Sequence, residues 1–377
     1  MTVDLDEVPA LEAADPAGML PAIASGAAQV REAALLAREA GVAALTEDGR
    51  PRAIVVCGMG GSGIAGDVLA AVGGTACPVP VLTHRGYGLP AWVGAADLVV
   101  AVSCSGSTEE TLSATEEAVR RGSRLLVVGA AGSPIEALGA RGRGVFVPVT
   151  QGRQPRATVW ALSTPLVVAA DALGLLAADA EVVEATAAQL EQVALSCRPD
   201  ADHFANPAKR LALELTGCLP VVWGTSPLAG VAAYRFACQL NENAKTPSVW
   251  GVLPEANHNQ VVAFDGPFAG SATRPVEDLF RDRLEDDSPE LTRMRLVLLR
   301  DTDEHPQVLR RTEASEQLAD DRGIGVSTVR ADGASGFERI ASLIAMVDWT
   351  SAYLALLEGR DPTPVDAITA LKSRIGA

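Results

Sequence analysis

The sequence predicts an α/β protein of two domains, each a parallel sheet flanked by helices, with additional helices at the two ends of the chain. From residue 53 onward, short apolar runs alternate with helical stretches, which is typical of a parallel sheet covered on both faces. An Ala- and Leu-rich stretch, 157–196, interrupts the alternation, which begins again at residue 207. A chain of 377 residues is long enough to give both domains a core.

The elements of the first half follow from this alternation. Residues 17–44 have helical periodicity and few helix breakers, so we expect an N-terminal helix there. The apolar runs predict strands at 53–57, 79–83, 98–103, 124–129 and 144–149, and the stretches between them predict helices at 63–72 and 108–121. Residues 157–196 are expected to form two helices that join the halves.

The second half repeats the pattern. It predicts strands at 219–224, 294–300 and 325–329, and helices at 207–216, 226–244, 305–322 and 336–357. Residues 265–293 are rich in Pro, Gly and charges of both signs, which indicates an exposed insertion. The tail starts with prolines and continues as a helix with Lys372 in its last turn.

These elements suggest five parts of the chain. We expect an N-terminal helical segment at 1–50, a first domain at 51–176, a connecting helix at 177–206, a second domain at 207–360 and a C-terminal helix at 361–377. The most apolar long stretch, 340–357, carries Asp348, so we expect no transmembrane span.

Composition excludes several classes of partner. A net charge of −16 disfavours nucleic acid and anionic membranes, which bind clustered Lys and Arg. The N-terminus lacks a signal-peptide pattern, and the six cysteines lack CxxC spacing, so we expect reduced thiols in a cytoplasmic protein. The four histidines are far apart in sequence, and we expect no metal site.

The stretch 55–68, VVCGMGGSGIAGDV, predicts a buried strand, a glycine-rich loop and a helix. A helix N-terminus with small residues and the hydroxyl of Ser62 can bind an anion, most often phosphate. A tight turn without a ligand is the alternative. No Lys-Ser or Lys-Thr closes the loop, which disfavours a P-loop, and the next strand ends in His84 and Arg85 where a dinucleotide site has an acidic residue.

A second polar loop, SCSGSTEETL, follows the strand that ends at Ser103. Hydroxyls at Ser103, Ser105, Ser107 and Thr108 surround a glycine at the carboxyl end of a parallel strand, where open α/β sheets bind ligands. The alternative is a helix cap made by Thr108 with Thr111. Together with Ser62, these hydroxyls would surround a phosphate with neutral donors.

These motifs resemble a known family. GMGGSGIAGD and SCSGSTEET resemble the two phosphosugar motifs of the sugar-isomerase (SIS) domain superfamily. QPRA at 154–157, NENAK at 241–245, PEANHN at 254–259, and DPTPV with LK at 361–372 narrow the resemblance to the bifunctional phosphoglucose/phosphomannose isomerase family. In order, the motifs run from residue 54 to residue 372.

The resemblance implies two SIS domains in a homodimer with composite active sites, acting on a sugar phosphate. It implies interconversion of glucose 6-phosphate or mannose 6-phosphate with fructose 6-phosphate. Glu242 falls on the catalytic base, which moves a proton between C1 and C2. His258 and Lys372 fall on ring-opening positions, and Arg156 falls near the developing negative charge. The residues expected to hold the phosphate are Gly61, Ser62, Ser103, Ser105 and Thr108.

The chemistry suits these residue types. One carboxylate can take a carbon-bound proton and return it to the neighbouring carbon, and a guanidinium stabilises the enediolate. No cofactor is demanded. Each residue also has a structural alternative. Glu242 could form a surface pair with Lys245, His258 could organise a turn, Lys372 could be a helix C-terminal cation, and Arg156 could be solvated. The competing function is an SIS-domain sensor of sugar phosphates without turnover.

Overall fold

A computed structural model describes residues 3–270 and 292–376, and the chain forms two compact units. The first unit comprises Pro21–Leu195 and Asp332–Ala345. The second unit comprises Met1–Leu20, Ser196–Ala331 and Met346–Ala377. Neither unit is therefore a single stretch of sequence. Most of the insertion expected at 265–293 lies outside the described residues.

The first half of the chain contains eight helices and five strands among the described residues. The helices are α1 Val8–Ala14, α2 Met19–Ala24, α3 Gly26–Glu39, α4 Gly60–Gly73, α5 Glu109–Arg121, α6 Pro134–Arg141, α7 Val159–Ala172 and α8 Ala180–Ser196. The strands are β1 Ile54–Cys57, β2 Val81–His84, β3 Leu98–Ser103, β4 Arg124–Gly129 and β5 Val145–Pro148.

The sheet of the first unit is parallel throughout and has the order β2-β1-β3-β4-β5. Every residue of β1 and β3 is buried, because helices cover both faces, and all of them are apolar except Ser103 at the end of β3. The chain goes from β1 to β2 on one side and then returns to β3 on the other side of β1. This reversal opens a crevice at the carboxyl ends of β1 and β3, the usual ligand position in such folds.

The second half contributes four more strands and five more helices within the described part of the chain. The helices are α9 Pro207–Leu215, α10 Pro227–Gln239, α11 Pro306–Asp321, α12 Gly336–Leu357 and α13 Asp366–Ile375. The strands are β6 Cys218–Gly224, β7 Val249–Val252, β8 Arg293–Arg300 and β9 Gly325–Arg330. Their parallel sheet has the order β7-β6-β8-β9, which repeats the order β2-β1-β3-β4.

The two parallel sheets flanked by helices confirm the predicted fold class. The core of the second unit includes Trp223 of β6, whose ring stacks on Phe264 at 5.4 Å between centroids. By length and composition α12 could cross a membrane, but 94% of its most apolar window is buried inside the protein. Its apolar character is therefore explained by its burial in the core of the protein.

Several elements differ from those predicted. The helix expected at 17–44 is divided into α2, α3 and a 3₁₀ turn over Val42–Thr46, and Gly41, with a φ of 76°, separates α3 from that turn. The helix expected at 226–244 ends at Gln239 and continues as a π turn over Leu240–Ala244. Helices α1 and α6 and strand β7 were not predicted. In α6, Gly139 breaks the apolar pattern because an added Cβ would lie 2.8 Å from Val127 Cγ2.

Candidate active site

The loop after β1 leaves the start of α4 open. Helix α4 begins at Gly60, and its N-cap residue, Met59, makes no side-chain capping bond. The first N–H groups of a helix have no partner within that helix, so an anion can accept from them. At Gly61 an added Cβ would meet nothing within 4 Å, whereas at Gly63 it would lie 2.7 Å from Gly58 O. Close packing therefore explains why residue 63 is glycine. Gly61, in contrast, has open space around it at the helix N-terminus.

The loop after β3 holds its hydroxyls in a compact turn. Ser103 Oγ donates to Thr108 Oγ1 at 3.1 Å and accepts from Gly106 N at 3.1 Å. Ser107 Oγ lies 3.3 Å from Ser105 Oγ. Gly106 adopts a φ of 72°, and an added Cβ would lie 2.1 Å from a serine Oγ of the next loop, so only glycine fits this turn.

The two loops meet at the carboxyl ends of β1 and β3. Cys104 N lies 3.4 Å from Ser62 Oγ, which it can reach as a donor. The structure thus brings Ser62 into the same group as Ser103, Ser105 and Thr108. Because α5 also starts here, the N-termini of two helices converge on one polar surface. An anion at this surface would be bound by neutral donors and helix dipoles.

The capping alternative for the second loop is not supported. Thr108 is the N-cap residue of α5, but its side chain makes no capping bond. Within the described part of the chain, the buried hydroxyl of Thr111 has no hydrogen-bond partner. The two threonines therefore do not form the reciprocal cap, and the first N–H groups of α5 are not satisfied by the side chain of Thr108.

Arg85, directly after β2, lies beside the first loop. Its guanidinium forms an ion pair with Asp67 of α4. An added Cβ at Gly63 would lie 2.9 Å from Arg85 Nε, so the guanidinium packs against the first turn of α4. Sequence reasoning used Arg85 only to argue against a dinucleotide site and missed this placement. A cation at the end of a strand next to the glycine-rich one was the available signal.

Arg156 belongs to the same unit as the two loops. It is half-buried in the 3₁₀ turn Pro155–Ala157, which leads into α7. Thr158, the next residue after this turn, places its Oγ1 3.7 Å from Cys104 Sγ. The main chain of the turn is also fixed, because Ala157 O accepts from the buried Gln29 Nε2 at 2.7 Å. Arg156 therefore extends from a fixed turn that adjoins the second polar loop.

Glu242 is half-buried in the π turn of the second unit. Lys245 follows with a φ of 55°, and its Nζ donates to Glu242 O at 3.0 Å and to Asn243 O at 3.1 Å. A surface pair between the two side chains does not account for these contacts, because the Lys245 ammonium bonds to main-chain carbonyls. π turns within helices occur frequently at functional sites.

His258 is exposed at the end of the 3₁₀ turn Glu255–His258. Residues on either side of it anchor this turn. Asn257 Nδ2 donates to Ser315 Oγ at 2.8 Å, and Asn259 Nδ2 donates to Glu255 Oε1 at 2.8 Å. These neighbours organise the polar turn and present the imidazole at the surface.

Lys372 lies in the last turn of α13 and is exposed, and α13 has no buried residues among those described. Of the nine residues proposed from sequence, the first unit holds Gly61, Ser62, Ser103, Ser105, Thr108 and Arg156, and the second unit holds Glu242, His258 and Lys372.

At the corresponding position of the second sheet, after β6 and β8, hydroxyl groups bond to carboxylates of the protein itself. Thr225 Oγ1 donates to Glu304 Oε1 at 2.6 Å, and Ser226 Oγ donates to Asp301 Oδ2 at 2.8 Å. Burial alone would raise the pKa of Glu304, but hydrogen bonds from Arg300 and Thr225 outweigh it and lower that pKa. Carboxylates of the protein thus accept from the hydroxyl donors at this position, unlike at the hydroxyl-lined crevice of the first unit.

Two parallel sheets of matching strand order, with an open hydroxyl-lined crevice on the first, define a protein of the two-domain SIS class. The family profile described as the bacterial phospho-glucose isomerase C-terminal SIS domain matches residues 204–375. A bifunctional phosphoglucose/phosphomannose isomerase from Caldicellulosiruptor bescii is 33% identical over 85% of this chain and 89% of that protein. Its counterpart from Aquifex aeolicus is 30% identical over 86% and 90%. The chain belongs to the bifunctional phosphoglucose/phosphomannose isomerase family.

Solved structures agree on the fold. A hypothetical protein from Thermus thermophilus superposes with a TM-score of 0.68 over 98% of this chain and 95% of its own, at 17% sequence identity. At that identity the similarity supports the fold alone. The family membership confirms the resemblance that the sequence motifs indicated.

Proposed function

We propose that the protein is an aldose–ketose isomerase that interconverts glucose 6-phosphate and/or mannose 6-phosphate with fructose 6-phosphate through an enediolate. The observation that carries this proposal is the open, hydroxyl-lined crevice of the first unit, in a chain of the phosphoglucose/phosphomannose isomerase family. A sensor of sugar phosphates would need only that crevice. The proposal also assigns the chain a catalytic set, Glu242, His258, Lys372 and Arg156, which a sensor would not need.

Phosphate recognition in this proposal rests on neutral groups. Gly61 lets the phosphate approach the start of α4, and Ser62, Ser105 and Thr108 donate hydroxyl hydrogen bonds. Ser103 is buried and donates to Thr108 Oγ1, so its part in phosphate binding is to orient the Thr108 hydroxyl. Since the chain carries a net charge of −16, a phosphate dianion needs such a local concentration of donors. The two uncapped helix N-termini add favourable dipoles.

Proton transfer is assigned to Glu242. Its carboxylate takes the proton from C2 of the open-chain aldose and returns it to C1 of the enediolate, and together with transfer of the O2 hydroxyl proton to O1 this gives the ketose. The guanidinium of Arg156 stabilises the negative oxygen of that intermediate. His258 and Lys372 move the protons that open the sugar ring. Each step uses side chains alone, so the scheme requires no metal or cofactor.

The assembly belongs to the same proposal. We infer a homodimer in which His258 completes the active site of the partner chain, since an exposed imidazole on an anchored turn is suited to reach outward. We also infer a cytoplasmic protein, consistent with six cysteines that form no disulfide. The domain limits 51–176 and 207–360 remain the proposed SIS boundaries.

A coupled assay of the purified protein with glucose 6-phosphate and mannose 6-phosphate tests the function. Formation of fructose 6-phosphate from either sugar, unchanged after exhaustive chelation with EDTA, is the expected result. Loss of rate that zinc restores would contradict the proposed roles. Tight binding of both sugars without turnover would support the sensor instead.

A further inference from the structure

The turn that carries Glu242 combines two unusual backbone features. Helix α10 passes into a π turn over Leu240–Ala244, and the next residue, Lys245, has a φ of 55°. A left-handed conformation costs free energy for a residue with a Cβ and persists only when the surroundings enforce it. Among the described residues, Arg143 is the only other non-glycine residue with a positive φ.

Cations hold the carbonyl groups at the end of this turn. Lys245 Nζ donates to Glu242 O at 3.0 Å and to Asn243 O at 3.1 Å. Arg360 Nη1 donates to Ala244 O at 2.6 Å. The last carbonyls of a helix have no intrahelical donor, so these three consecutive groups receive their bonds from side chains. Positive charge at a helix C-terminus is also favourable for the dipole.

The other side of the turn is fixed in the core. Asn243 Nδ2 donates to Ser351 Oγ at 2.9 Å, and Ser351 Oγ donates to Asp348 O at 2.7 Å. Arg235 of α10 pairs with both oxygens of the Asp348 carboxylate, at 2.9 and 2.7 Å. All four side chains are buried. The residue that follows Glu242 is therefore tied to α12 through a buried network.

Lys245 also contacts the segment that leads to Lys372. Its Nζ lies 3.1 Å from Asp361 O and 3.4 Å from Pro362 O. These residues begin the tail that continues as α13 and carries Lys372. One ammonium thus binds carbonyls of the turn with the proposed base and carbonyls of the segment with a proposed ring-opening group. An ammonium on a flexible stem can serve such convergent acceptors.

We propose that Lys245 is a positioning residue that holds the Glu242 turn and the start of the C-terminal segment in one fixed relation. This inference rests on the proposed function, because it gives Glu242 and Lys372 their catalytic roles. Lys245 acts through its main-chain partners and takes no part in proton transfer. Catalysis depends on such alignment, since misplacement of about 1 Å can lower a rate by about 100-fold.

The test compares Lys245→Met and Lys245→Arg with the wild-type enzyme. In Lys245→Met we expect kcat to fall by about 10- to 100-fold. KM should change by less than about threefold, because the proposed phosphate-binding residues lie in the loops after β1 and β3 and are not altered. Lys245→Arg keeps the charge but has a planar fork, so partial recovery of kcat is expected. Arg141→Met, which removes an exposed cation from the last turn of α6, is the matched control and should match the wild type.

Hydrogen–deuterium exchange on the full-length variants gives a second readout. In Lys245→Met, amide exchange should increase together in residues 240–246 and 361–376 and stay unchanged elsewhere. A mere loss of stability would increase exchange throughout the chain. If Lys245→Met does not fold, Lys245→Gln, which retains a hydrogen-bond donor, replaces it.

The outcomes separate the two proposals. An active wild type with unchanged kcat in Lys245→Met, or increased exchange in only one of the two segments, would overturn the role of Lys245. A wild type that converts neither hexose 6-phosphate would instead overturn the proposed function. The exchange pattern would then decide by itself whether Lys245 couples the two segments.

Discussion

The hydroxyls of Ser105 and Thr108 each offer one neutral donor at the phosphate crevice, so the contribution of each to binding can be measured singly. Replacing Ser105 or Thr108 with Ala should remove about 0.5–1.5 kcal/mol of binding, more if the bond is to a dianion. KM for a hexose 6-phosphate, and the inhibition constant for inorganic phosphate, should both rise several-fold. Steady-state kinetics with both sugars measure the change.

The control for these variants is Thr46→Ala in the same unit. Thr46 is exposed, and its Oγ1 donates to Ala43 O at 2.7 Å. It should leave both constants unchanged. If Ser105→Ala and Thr108→Ala behave like this control, the hydroxyls have only a local structural role.

At the level of residues, sequence predicted the hydroxyl cluster because four of its members follow one strand. It did not predict the contacts of Lys245. Spacing suggested a pair with Glu242, whereas the bonds from the Lys245 ammonium to main-chain carbonyl groups, next to a left-handed backbone at Lys245, were not expected. Residue spacing carries no information about such a conformation in a residue other than glycine.

Glycine has two different roles in the loops after β1 and β3. Gly106 is required by the packing of its turn, whereas Gly61 is proposed to leave room for the phosphate. Gly106→Ala should destabilise the fold by several kcal/mol, since the new Cβ meets a side chain at 2.1 Å in a backbone region that disfavours it. Gly61→Ala should leave the unfolding temperature unchanged or slightly raise it, because the added Cβ points into open space and the residue lies in a helix. It should nevertheless raise KM, because the methyl group would occupy the approach of the phosphate. Thermal unfolding and kinetics of both variants make the comparison.

A Gly61→Ala variant with normal KM would remove Gly61 from the phosphate site. A Gly106→Ala variant as stable as the wild type would show that the loop after β3 can adopt another conformation.

Most strands were predictable because a parallel strand buried on both faces is a continuous apolar run, as in β3. The exceptions have local causes. Strand β7 is short, and its Val249 and Trp250 are exposed, so it lacks that pattern. The π turn replaces the end of a predicted helix because buried Asn243 bonds to α12, a tertiary contact that periodicity does not reveal.

The N-terminal segment gives a pH-dependent contact. Asp6 pairs with His203, and this hydrogen bond raises the pKa of the imidazole above its usual value. A raised folded-state pKa means that the added stability is present below the unfolded pKa, near 6.5, and is lost as pH rises through the folded value. The unfolding temperatures of wild type and His203→Gln should therefore differ most near pH 5.5 and converge above neutrality.

Asp6 keeps a second partner, since Lys209 Nζ lies 3.3 Å from its Oδ1. The loss with rising pH is therefore partial. In an Asp6→Asn background, the pH-dependent effect of His203→Gln should become much smaller, because of the two carboxylates beside His203 only Asp202, with its Oδ1 3.8 Å from His203 Nδ1, still favours the charged imidazole. A pH-dependent difference of undiminished size in that background would assign the titration to another group.

For the whole molecule, the proposed dimer makes a quantitative prediction. Glu242→Gln and His258→Ala should each abolish isomerisation and leave phosphate binding intact. If His258 serves the partner's site, exchange of the two variants gives heterodimers with one intact and one doubly defective site. Random pairing makes half of the dimers mixed, so activity should recover to about a quarter of wild type. Mixing, verified subunit exchange and assay provide the measurement.

Absence of recovery after verified exchange would mean that both residues act within one chain or that one of them is not catalytic. Such a result would leave the phosphate crevice unaffected, since it belongs to a single unit.

The position of helix α12 in the chain affects how the protein can fold during translation. Its first part, through Ala345, belongs to the unit that is otherwise complete at Leu195. Phe337, in that part, is fully buried and packs edge-on against Trp160 at 6.3 Å between ring centroids. The first unit can therefore complete its core only after residues up to Ala345 have been synthesised. The order in which the two units complete their folds thus need not follow the order of translation.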